Sequence, residues 1–332
     1  MATIYRRSVI KAAVSASGIP IFDSDIQVQS LKPVISTSLR NLSFDFPGIE
    51  IGCAEYSEGP TGCTVFHFPK GATVSCDIRG GSPGLIMAAD GYADAICFAG
   101  GSLYGLEAVT GVSAELLKRR GFKHDQIAVV RGAVIYDFTA RSNSIYADKL
   151  LGQAACRAVT TGTFPLGRHG AGSAAGVGGG LDFLQGEWAG QGGAFLKRGQ
   201  VRIAVFTVVN SVGAIYDREG KIVRGNLDRK TGKRSSFMEQ LEAISKLEAG
   251  KPSRNTTLTL AVTNLKLDAF ELTQVGRQIH SSMARAIQPF HTGLDGDTCF
   301  LATTNEVSSK LTGTGLGVLA SELAWDAVLT SY

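Results

Sequence analysis

The 332-residue sequence lacks several patterns by which large classes of protein are identified. Its six cysteines contain no CxxC pair and its five histidines no HExxH or similar ligand spacing, so we expect neither a disulfide framework nor a metal site. No apolar run is long enough to span a membrane. The net charge is only +4, and the basic clusters lack interleaved aromatic residues, which argues against a nucleic-acid site. A GK[ST] phosphate-binding motif is also missing, and we predict no cofactor.

Two features of the sequence bear on where the protein acts. Most cysteines lie in apolar surroundings, as Cys97 does, which predicts buried reduced thiols and a cytoplasmic protein. Residues 5–13, in contrast, contain an Arg6-Arg7 pair followed by a short apolar stretch, as in twin-arginine export signals. Pro20 interrupts that stretch, and no small-residue cleavage site follows. We therefore predict a cytoplasmic protein, with export as the alternative.

The composition and periodicity predict the fold class. With 44% hydrophobic residues and 41 glycines, the chain can form a substantial core with many tight turns. We interpret residues 1–41 as an irregular N-terminal arm and residues 42–332 as a single domain. Strand-like and helix-like segments alternate there without strict βαβ repetition, which predicts an α+β fold, a layered sandwich. The predicted strands are 49–53, 64–68, 73–78, 95–99, 127–135, 202–209, 214–217, 221–223 and 298–303, with another starting at Thr256; the predicted helices are one between Ser102 and Gly121, 147–159, 236–247, one capped by Asp268 with Glu271 at the capping-box position, and 320–329.

The most informative segment is residues 252–262, where a polar loop containing a proline leads directly into strand-like alternation. Leu258 and Leu260 share a face with Thr256, so the Thr256 hydroxyl should lie on the buried side at the start of the strand. Such a hydroxyl can attack the carbonyl of Asn255, convert the peptide to an ester and, after hydrolysis, leave a new N-terminal threonine. That residue would carry a nucleophile and its own base, an α-amine with a reference pKa of about 8. The alternative is a turn asparagine followed by an ordinary threonine at a strand edge.

Two glycine-containing segments compete as sites. Residues 95–105 combine a buried strand, a Gly-Gly-Ser turn and a helix, which would place Ser102 like the serine of a nucleophile elbow. Tyr104 stands where the GxSxG motif requires its second glycine, so Ser102 is more simply an N-cap whose amide, with that of Gly101, could line a site. Residues 170–175 fit GxGxxA but follow no convincing strand. We expect those glycines to permit close approach of backbone or substrate rather than to bind a dinucleotide.

Four polar residues elsewhere could support a nucleophile. Asp295 and Asp297 flank one glycine; they could orient a hydroxyl and an ammonium, with one pKa raised by like-charge repulsion, or simply form a turn. Asn210 follows the strand at 202–209 and could donate to an oxyanion, or belong to an Asn-Ser turn. Tyr136 ends another strand and could be a hydroxyl donor or a core aromatic residue. Spacing alone does not choose between these interpretations.

Several blocks of sequence resemble the DmpA family of L-aminopeptidase/D-esterases. They are CFAGGSLYGLEA at 97–108, GAVIYDF at 132–138, VNSVG at 209–213 and QPFHTGLDGDT at 288–298. Segments at 44–48, 255–257, 280–283 and 325–329 resemble more closely the nylon-oligomer hydrolases of that family, and the similarity runs from about residue 42 to the end. The resemblance implies an αββα sandwich of the N-terminal-nucleophile-hydrolase type. It also implies self-cleavage before a serine or threonine and a homotetramer of cleaved protomers.

The resemblance also assigns roles to individual residues. It puts the nucleophile at Thr256, with self-cleavage after Asn255 into fragments 1–255 and 256–332. The supporting positions it implies are Asp295, Asp297, Asn210 and Tyr136. The nylon-oligomer hydrolases carry a further site lysine in the glycine-rich tract, and residues 176–181 of this chain contain none. Lys197 lies too far along the sequence to be assumed as its replacement.

Together these observations predict an autoprocessed N-terminal-threonine amidohydrolase acting on a small amide or short oligoamide. Linear aliphatic amides such as 6-aminohexanoate oligomers are the first expected substrates. N-terminal peptide cleavage, or hydrolysis of D-amino-acid amides and esters, is the second. Two further hypotheses stay open: an unprocessed inactive scaffold, since the lysine is missing, and a hydrolase that depends on Ser102.

Overall fold

The computed structural model describes residues 31–179, 185–244 and 255–332. Most of the predicted N-terminal arm, including the possible export signal, and the end of the helix predicted at 236–247 lie outside this part of the chain. Residues 33–332 form one compact unit. The described helices are α1 Leu106–Arg119, α2 Lys149–Arg157, α3 Phe237–Ile244, α4 Ala269–Ser282 and α5 Gly313–Leu329. The described strands are β1 Val34–Ile35, β2 Asn41–Ser43, β3 Glu50–Tyr56, β4 Thr61–Ile78, β5 Leu85–Ile86, β6 Gly91–Ala99, β7 Val130–Val134, β8 Thr163–Pro165, β9 Gly176–Val177, β10 Glu187–Trp188, β11 Gln191–Arg198, β12 Val201–Val208, β13 Ala214–Tyr216, β14 Ile222–Arg224, β15 Leu258–Leu265, β16 Ile287–Gln288 and β17 Thr298–Val307.

The long strand β4 connects the two halves of the main sheet. It pairs with β6 in both halves, with β3 in its first half and with β17 in its second half. The hydrogen-bonded order runs β11-β12-β15-β17-β4-β6-β7-β5. The pairing of β4 with β6 shifts between His67 and Ala72, where Gly71 has a φ of 74°. Because only glycine takes such a φ easily, the strand can change its pairing here and continue. The two halves of the sheet lie face to face as two layers.

A core of aromatic rings fills the space between the layers. Phe66 of β4 and Phe98 of β6 face Phe206 of β12 and Phe300 of β17. The ring centroids lie 5.3 Å apart for Phe66 and Phe206, and 6.1 Å apart for Phe98 and Phe300. A buried aromatic side chain removes about 150–250 Å² from water, so these rings contribute much of the hydrophobic driving force that holds the layers together.

Helices cover the two outer faces of the layers. Helices α1 and α2 pack together and lie on β3, β4, β6 and β7, while α4 and α5 pack together and lie on β17, β11 and β12. A second core lies under α4, where Leu272, Val275 and Ile279 meet Ala261 and Leu301 of the sheet. The order helices, sheet, sheet, helices is the predicted αββα sandwich. No helix in the described part of the chain is long and apolar enough to cross a membrane.

Most predicted elements are present, with shifted ends. The capping box is confirmed, because the Asp268 carboxylate accepts from the amide of Glu271 while the Glu271 side chain accepts from the amide of Asp268. The strands predicted at 64–68 and 73–78 are one strand, β4, since the pairing resumes after the shift. Helix α5 begins well before the predicted residue 320, because Thr312 caps it through the amide of Gly315. The glycines in its first turns interrupt the apolar spacing, so that pattern does not show where the helix starts.

Candidate active site

Thr256 lies in a buried extended segment two residues before β15. Its backbone amide donates to the carbonyl of Asn210 at 2.5 Å, and its side chain is only 4% exposed. Leu258 and Leu260 belong to the core between the layers, while the Thr259 hydroxyl points the other way and donates to the sulfur of Met283, just after α4. The predicted alternation is therefore confirmed, although the hydrogen-bonded strand starts at Leu258 instead of at Thr256.

The carbonyl of Asn255 accepts two hydrogen bonds, one of them from the proposed nucleophile. The Thr256 Oγ1 donates to it at 2.5 Å, and the backbone amide of Gly296 donates to it at 2.9 Å. Asn255 in turn donates its amide to the carbonyl of Leu294 at 3.2 Å, so the segment is held as a parallel bridge beside Asp295. The carbonyl that would be attacked is thus polarised by a backbone donor and has the attacking hydroxyl next to it.

Gly296 can supply that donor only because it has no side chain. A Cβ atom built on it would lie 2.7 Å from Thr256 Oγ1 and 2.6 Å from the carbonyl oxygen of Ser82. Both separations are shorter than van der Waals contact. Glycine between the two aspartates is therefore a steric requirement for the close approach of this loop to the hydroxyl.

Asp295 and Asp297 are both fully buried, on either side of Gly296. Asp297 Oδ1 accepts from the amide of Thr257 at 2.7 Å, which fixes the residue after the nucleophile. Asp295 Oδ1 accepts from the amide of Val212 at 3.1 Å. Burial, and secondarily the negative charge of Asp297, raises the pKa of Asp295 to about 6. The expected direction is present, but burial contributes more than like-charge repulsion.

Asn210 connects three segments around the nucleophile. Its side-chain Nδ2 donates to the carbonyl of Tyr136 at 2.9 Å, and its Oδ1 accepts from the amide of Gly176 at 3.0 Å. Its own backbone carbonyl accepts from the amide of Thr256. A side-chain amide has two N–H donors, so the bond to Tyr136 occupies one of them. The geometry is compatible with the expected oxyanion role through the second donor.

Tyr136 and Asn255 each line two cavities. The first cavity has a volume of about 310 Å³ and is also lined by Asn210, Trp188 and the glycine-rich tract. The second has a volume of about 210 Å³, and Tyr136 and Asn255 line it as well. Its other walls are Ser82, Pro83, Gly84, Ser102, Leu103, Val134, Thr256 and Leu294. Asn255 therefore borders both cavities, and Thr256 borders the second.

The structure places Ser102 in the second cavity but changes its expected role. A 3₁₀ turn covers Ser102–Gly105 and α1 starts only at Leu106, so the prediction that Ser102 caps the helix is wrong; its side chain makes no capping hydrogen bond. The Gly101 amide donates to Asp137 Oδ1 at 2.9 Å, and the Ser102 amide donates to the carbonyl of Ile135 at 2.9 Å. Both amides are engaged within the protein, which argues against the oxyanion role expected for them.

The glycine-rich tract provides close backbone contacts beside the site. A Cβ on Gly172 would lie 2.5 Å from the backbone nitrogen of Gln191, which agrees with the expectation that the glycines at 170–175 permit close approach of backbone. No lysine is among the described residues that line the two cavities, whereas Arg229 lines the first. Lys197 lies elsewhere, where its ammonium pairs with Asp45 at 2.5 Å and its side chain is nearly half exposed. Lys197 is therefore not part of this site.

One protein-family model matches nearly the whole described region. The model for peptidase family S58 matches residues 41–330. The chain belongs to peptidase family S58. The predicted membership of the DmpA family, and with it the prediction of a hydrolase that acts on amide bonds, is confirmed.

Curated relatives within family S58 include two that carry the same name. The chain is 46% identical to a 6-aminohexanoate-oligomer endohydrolase of Kocuria sp. (strain KY2), covering 96% of this chain and 94% of the relative. It is 48% identical to a 6-aminohexanoate-oligomer endohydrolase of Agromyces sp. (strain KY5R), covering 90% and 88%. An uncharacterised aminopeptidase of Mycobacterium leprae is 32% identical and covers 84% and 83%.

Solved structures in the comparison confirm the fold. An L-aminopeptidase D-Ala-esterase/amidase from Ochrobactrum anthropi, described as a variant of the N-terminal-nucleophile hydrolase fold, superimposes with a TM-score of 0.63 at 14% identity, covering 91% of this chain and 88% of that chain. A β-aminopeptidase from Burkholderia sp. gives a TM-score of 0.60 at 15% identity, covering 91% and 89%. The S58 chain described here thus has the predicted N-terminal-nucleophile type of fold.

Sequence reasoning on this S58 chain did not single out three residues that the structure places at the site. Gly296 donates to the carbonyl of Asn255, and Thr292 donates its amide and hydroxyl to Asp295 Oδ2 at 3.2 and 2.5 Å. The backbone amide of His291 donates to Asp297 Oδ2 at 2.9 Å, and its ring Nδ1 lies 3.1 Å from the same oxygen. The available signal was the position of two hydrogen-bonding residues shortly before the acids, which is typical of a loop that satisfies its own carboxylates.

Proposed function

We propose that the chain cuts itself between Asn255 and Thr256 and then uses the new N-terminal threonine to hydrolyse linear aliphatic amides. The observation that carries the proposal is the hydrogen bonding of one carbonyl. The carbonyl of Asn255 accepts both from the Thr256 hydroxyl and from the amide of Gly296. A nucleophile and an electrostatic donor at the same peptide bond are the two components that acyl transfer requires.

In the proposed cut, Thr256 Oγ1 forms a bond to the carbonyl carbon of Asn255. The negative charge that develops on the carbonyl oxygen is stabilised by the Gly296 amide, and one such donor typically lowers a barrier by about 3 kcal/mol. The carbon–nitrogen bond then breaks, and the nitrogen of Thr256 takes up the proton that the hydroxyl lost on attack, which leaves an ester. Water hydrolyses the ester and leaves a carboxylate on Asn255 and an amine on Thr256.

After the cut, the contact between Thr256 and Asn210 gives the amine a defined position. The nitrogen of Thr256 lies 2.5 Å from the carbonyl of Asn210 in the intact chain, and that carbonyl would accept from the free amine. The amine can then take the hydroxyl proton during attack on a substrate amide and pass it to the leaving amine. Asp297 orients the segment through Thr257, and Asn210 is the proposed side-chain donor to the substrate oxyanion.

The cavities favour an internal amide of a linear chain as substrate. Asn255 lines both of them and Thr256 lines the second, so groups on both sides of a cleaved bond would find space. The names of the two curated relatives above support 6-aminohexanoate oligomers as the specific substrates.

An aminopeptidase would need an anionic group to bind the substrate ammonium, and the acids of the first cavity are already paired. Asp137 bonds Arg141 at 2.6 Å, and Glu187 bonds Arg234 at 2.7 Å. Assays on two kinds of substrate distinguish these activities. An endohydrolase would release products from defined oligomers, whereas an aminopeptidase would release amino acids from aminoacyl amides. The names of other family members keep the aminopeptidase activity as the second candidate.

We further propose that cleaved protomers assemble as a homotetramer and that the protein acts in the cytoplasm, with export as the alternative. Light scattering on purified protein measures the first. Separation of cytoplasmic and exported fractions of the producing cell measures the second. Neither result affects the assignment of the nucleophile.

Denaturing gels with N-terminal sequencing test the proposal directly. We expect wild-type protein to yield fragments 1–255 and 256–332, with the second beginning at Thr256, and the isosteric variant Thr256→Val to stay intact and inactive. Thr256→Ser should retain the cut at a changed rate, since it keeps the hydroxyl.

Thr257→Val is the matched control for this experiment. The hydroxyl of Thr257 is buried without a hydrogen-bond partner among the described residues, so its loss should cost little. We expect this variant to be cut normally. Fully active wild-type protein that remains a single chain would refute the proposal. The proposal would also be refuted if no variant were cut and Ser102→Ala abolished the activity.

A further inference from the structure

The loop before β17 supplies hydrogen-bond donors to both of its own aspartates. Thr292 donates its amide and hydroxyl to Asp295 Oδ2. His291 donates its backbone amide to Asp297 Oδ2 at 2.9 Å, and its ring Nδ1 lies 3.1 Å from the same oxygen. Two consecutive residues therefore serve two acids, and the one that serves Asp297 has a titratable ring.

Several contacts fix the ring of His291 in this place. His291 has a φ of 59°, an uncommon conformation for a residue other than glycine, and one that aims both its amide and its ring at Asp297. Its ring lies 3.9 Å from that of Phe290 and 4.3 Å from that of His280, centroid to centroid. Within the described part of the chain, its Nε2 is buried without a hydrogen-bond partner. The hydrogen-bonding capacity that the ring uses is thus directed to Asp297.

The charged groups on the other side of the His291 ring are paired with each other. His280 Nδ1 lies 2.9 Å from Asp77 Oδ2, and Arg79 Nε bonds the same carboxylate at 2.6 Å. Burial lowers the pKa of His280 despite the bond to Asp77, so this second imidazole is neutral at neutral pH. The charged group that His291 contacts directly is therefore Asp297.

The backbone donors around Asp297 favour an ionised carboxylate. Its Oδ1 accepts from the amide of Thr257, and its Oδ2 accepts from the amide of His291 and lies 3.1 Å from the ring Nδ1 of that residue. Hydrogen bonds from amides to both oxygens favour the charged form of a carboxyl group, and the ring adds a third such bond when Nδ1 carries the proton. The neighbouring acid has the opposite tendency, because burial and the charge of Asp297 raise the pKa of Asp295 to about 6.

We infer that His291 is a positioning residue, whose ring keeps Asp297 ionised and so assigns the proton of the acid pair to Asp295. The inference rests on the self-cleavage proposed above, because the rate of that cut reports it. An ionised Asp297 holds the amide of Thr257, and with it the segment that carries the nucleophile. Without the ring, Asp297 loses one of the hydrogen bonds that favour its charged form, and its hold on that segment weakens as the pH falls.

Two substitutions at position 291 separate the ring donor from the backbone. His291→Gly keeps the backbone amide and accepts the left-handed conformation, but removes the ring. His291→Asn also tolerates that conformation, and its side-chain nitrogen stands where Nδ1 stands in histidine. Each protein is made by cell-free synthesis and transferred to buffers from about pH 4 to about pH 9, and the rate of the cut is read from gels.

We expect the acid midpoint of the rate profile to rise by roughly one to two pH units in His291→Gly. In His291→Asn it should return to within about half a unit of the wild-type value. His67→Ala is the matched control, since His67 Nδ1 also bonds a carboxylate, that of Glu50 at 2.9 Å, and its side chain is similarly buried at 14% exposure. We expect no shift of the midpoint in the control.

The outcomes separate this inference from the proposed function. A wild-type chain that is never cut at Thr256 refutes the proposed function and removes the basis of the inference. A normally cut wild type together with a His291→Gly variant that is slower at every pH, with an unchanged midpoint, leaves the proposed function intact and overturns the inference. Nitrogen-15 NMR of histidine-labelled Thr256→Val protein is independent of variants at 291. We expect the His291 ring to carry a proton on Nδ1, and a ring that carries its proton on Nε2 alone would overturn the inference.

Discussion

Replacement of Gly296 by alanine tests the site geometry with a single methyl group. The backbone of Gly296 is not in the left-handed region, so alanine brings no conformational strain of its own. The added Cβ would lie 2.6 Å from the carbonyl oxygen of Ser82, 2.7 Å from Thr256 Oγ1 and 3.2 Å from Cα of Pro83. Two of the three neighbours are backbone atoms that cannot rotate away, so the hydroxyl of Thr256 or the loop itself must move.

The expected effect is much larger on the cut than on stability. Movement of the loop weakens the bond from the Gly296 amide to the carbonyl of Asn255, and loss of one such donor costs about 3 kcal/mol of barrier, or roughly a hundredfold in rate. Displacement of the hydroxyl lowers the rate further. Overpacking of this kind lowers the free energy of unfolding by about 1–3 kcal/mol. We therefore expect a folded variant whose self-cleavage is at least about a hundredfold slower than that of wild type.

Gly293→Ala in the same loop is the matched control. A Cβ on Gly293 meets no atom within 4 Å, so this variant should be cut at the wild-type rate. Gel time courses after cell-free synthesis measure the cut, and thermal unfolding in the Thr256→Val background measures stability without cleavage. If Gly296→Ala is cut within about tenfold of the wild-type rate while folded, the Gly296 amide is not the donor that drives the reaction.

Three further predictions concern the same fold, all measured by chemical unfolding of the Thr256→Val chain. The pKa of Asp295 is raised from 3.8 to about 6, which stabilises the fold below about pH 4, and this contribution is lost as the pH rises through 6. The free energy of unfolding of Asp295→Asn should therefore gain about 3 kcal/mol relative to that of its parent between these limits, and a pH-independent difference contradicts this. Arg141→Met leaves the buried carboxylate of Asp137 without its ion-pair partner and should lower the free energy of unfolding by about 3–5 kcal/mol. Arg218→Met removes an exposed ion pair and should lower it by at most about 1 kcal/mol, and similar losses in the two variants would contradict the argument. Phe206→Ala removes a ring that contacts three others and should cost about 3–5 kcal/mol, against about 0.5 kcal/mol or less for the exposed Phe270→Ala.

The sequence could predict those parts of the fold that depend on neighbours along the chain. The capping box of Asp268 and Glu271 is local, and so is the alternation that places Leu258 and Leu260 in the core, because both follow from periodicity and cap chemistry. The continuity of β4 could not be predicted, since it depends on where β6 and β17 pair with it. Neither could the true start of α5, because glycines there carry no apolar pattern.

The same distinction between local pattern and tertiary packing applies to the residues of the site. The resemblance of motif blocks to a known family supplied Thr256, Asp295 and Asp297 together, whereas residue spacing left each one with an ordinary structural alternative. The conformation of Ser102, with a φ of 55°, and the engagement of its amide by Ile135 depend on tertiary packing and reversed the expectation of a helix cap.

If the cut occurs where we propose, it also prepares the site for substrates. In the intact chain the carbonyl of Asn255 occupies the amide of Gly296, and Asn255 belongs to the walls of both cavities. Departure of Asn255 would free that amide for a substrate carbonyl and remove the residue that separates the two spaces. The donor that serves the cut would then serve turnover, and a linear oligoamide could extend through both cavities across Thr256. The mature enzyme should therefore bind a non-cleavable oligoamide analogue that the intact Thr256→Val chain does not, and equal binding by the two forms would show that Asn255 is not the barrier between the cavities.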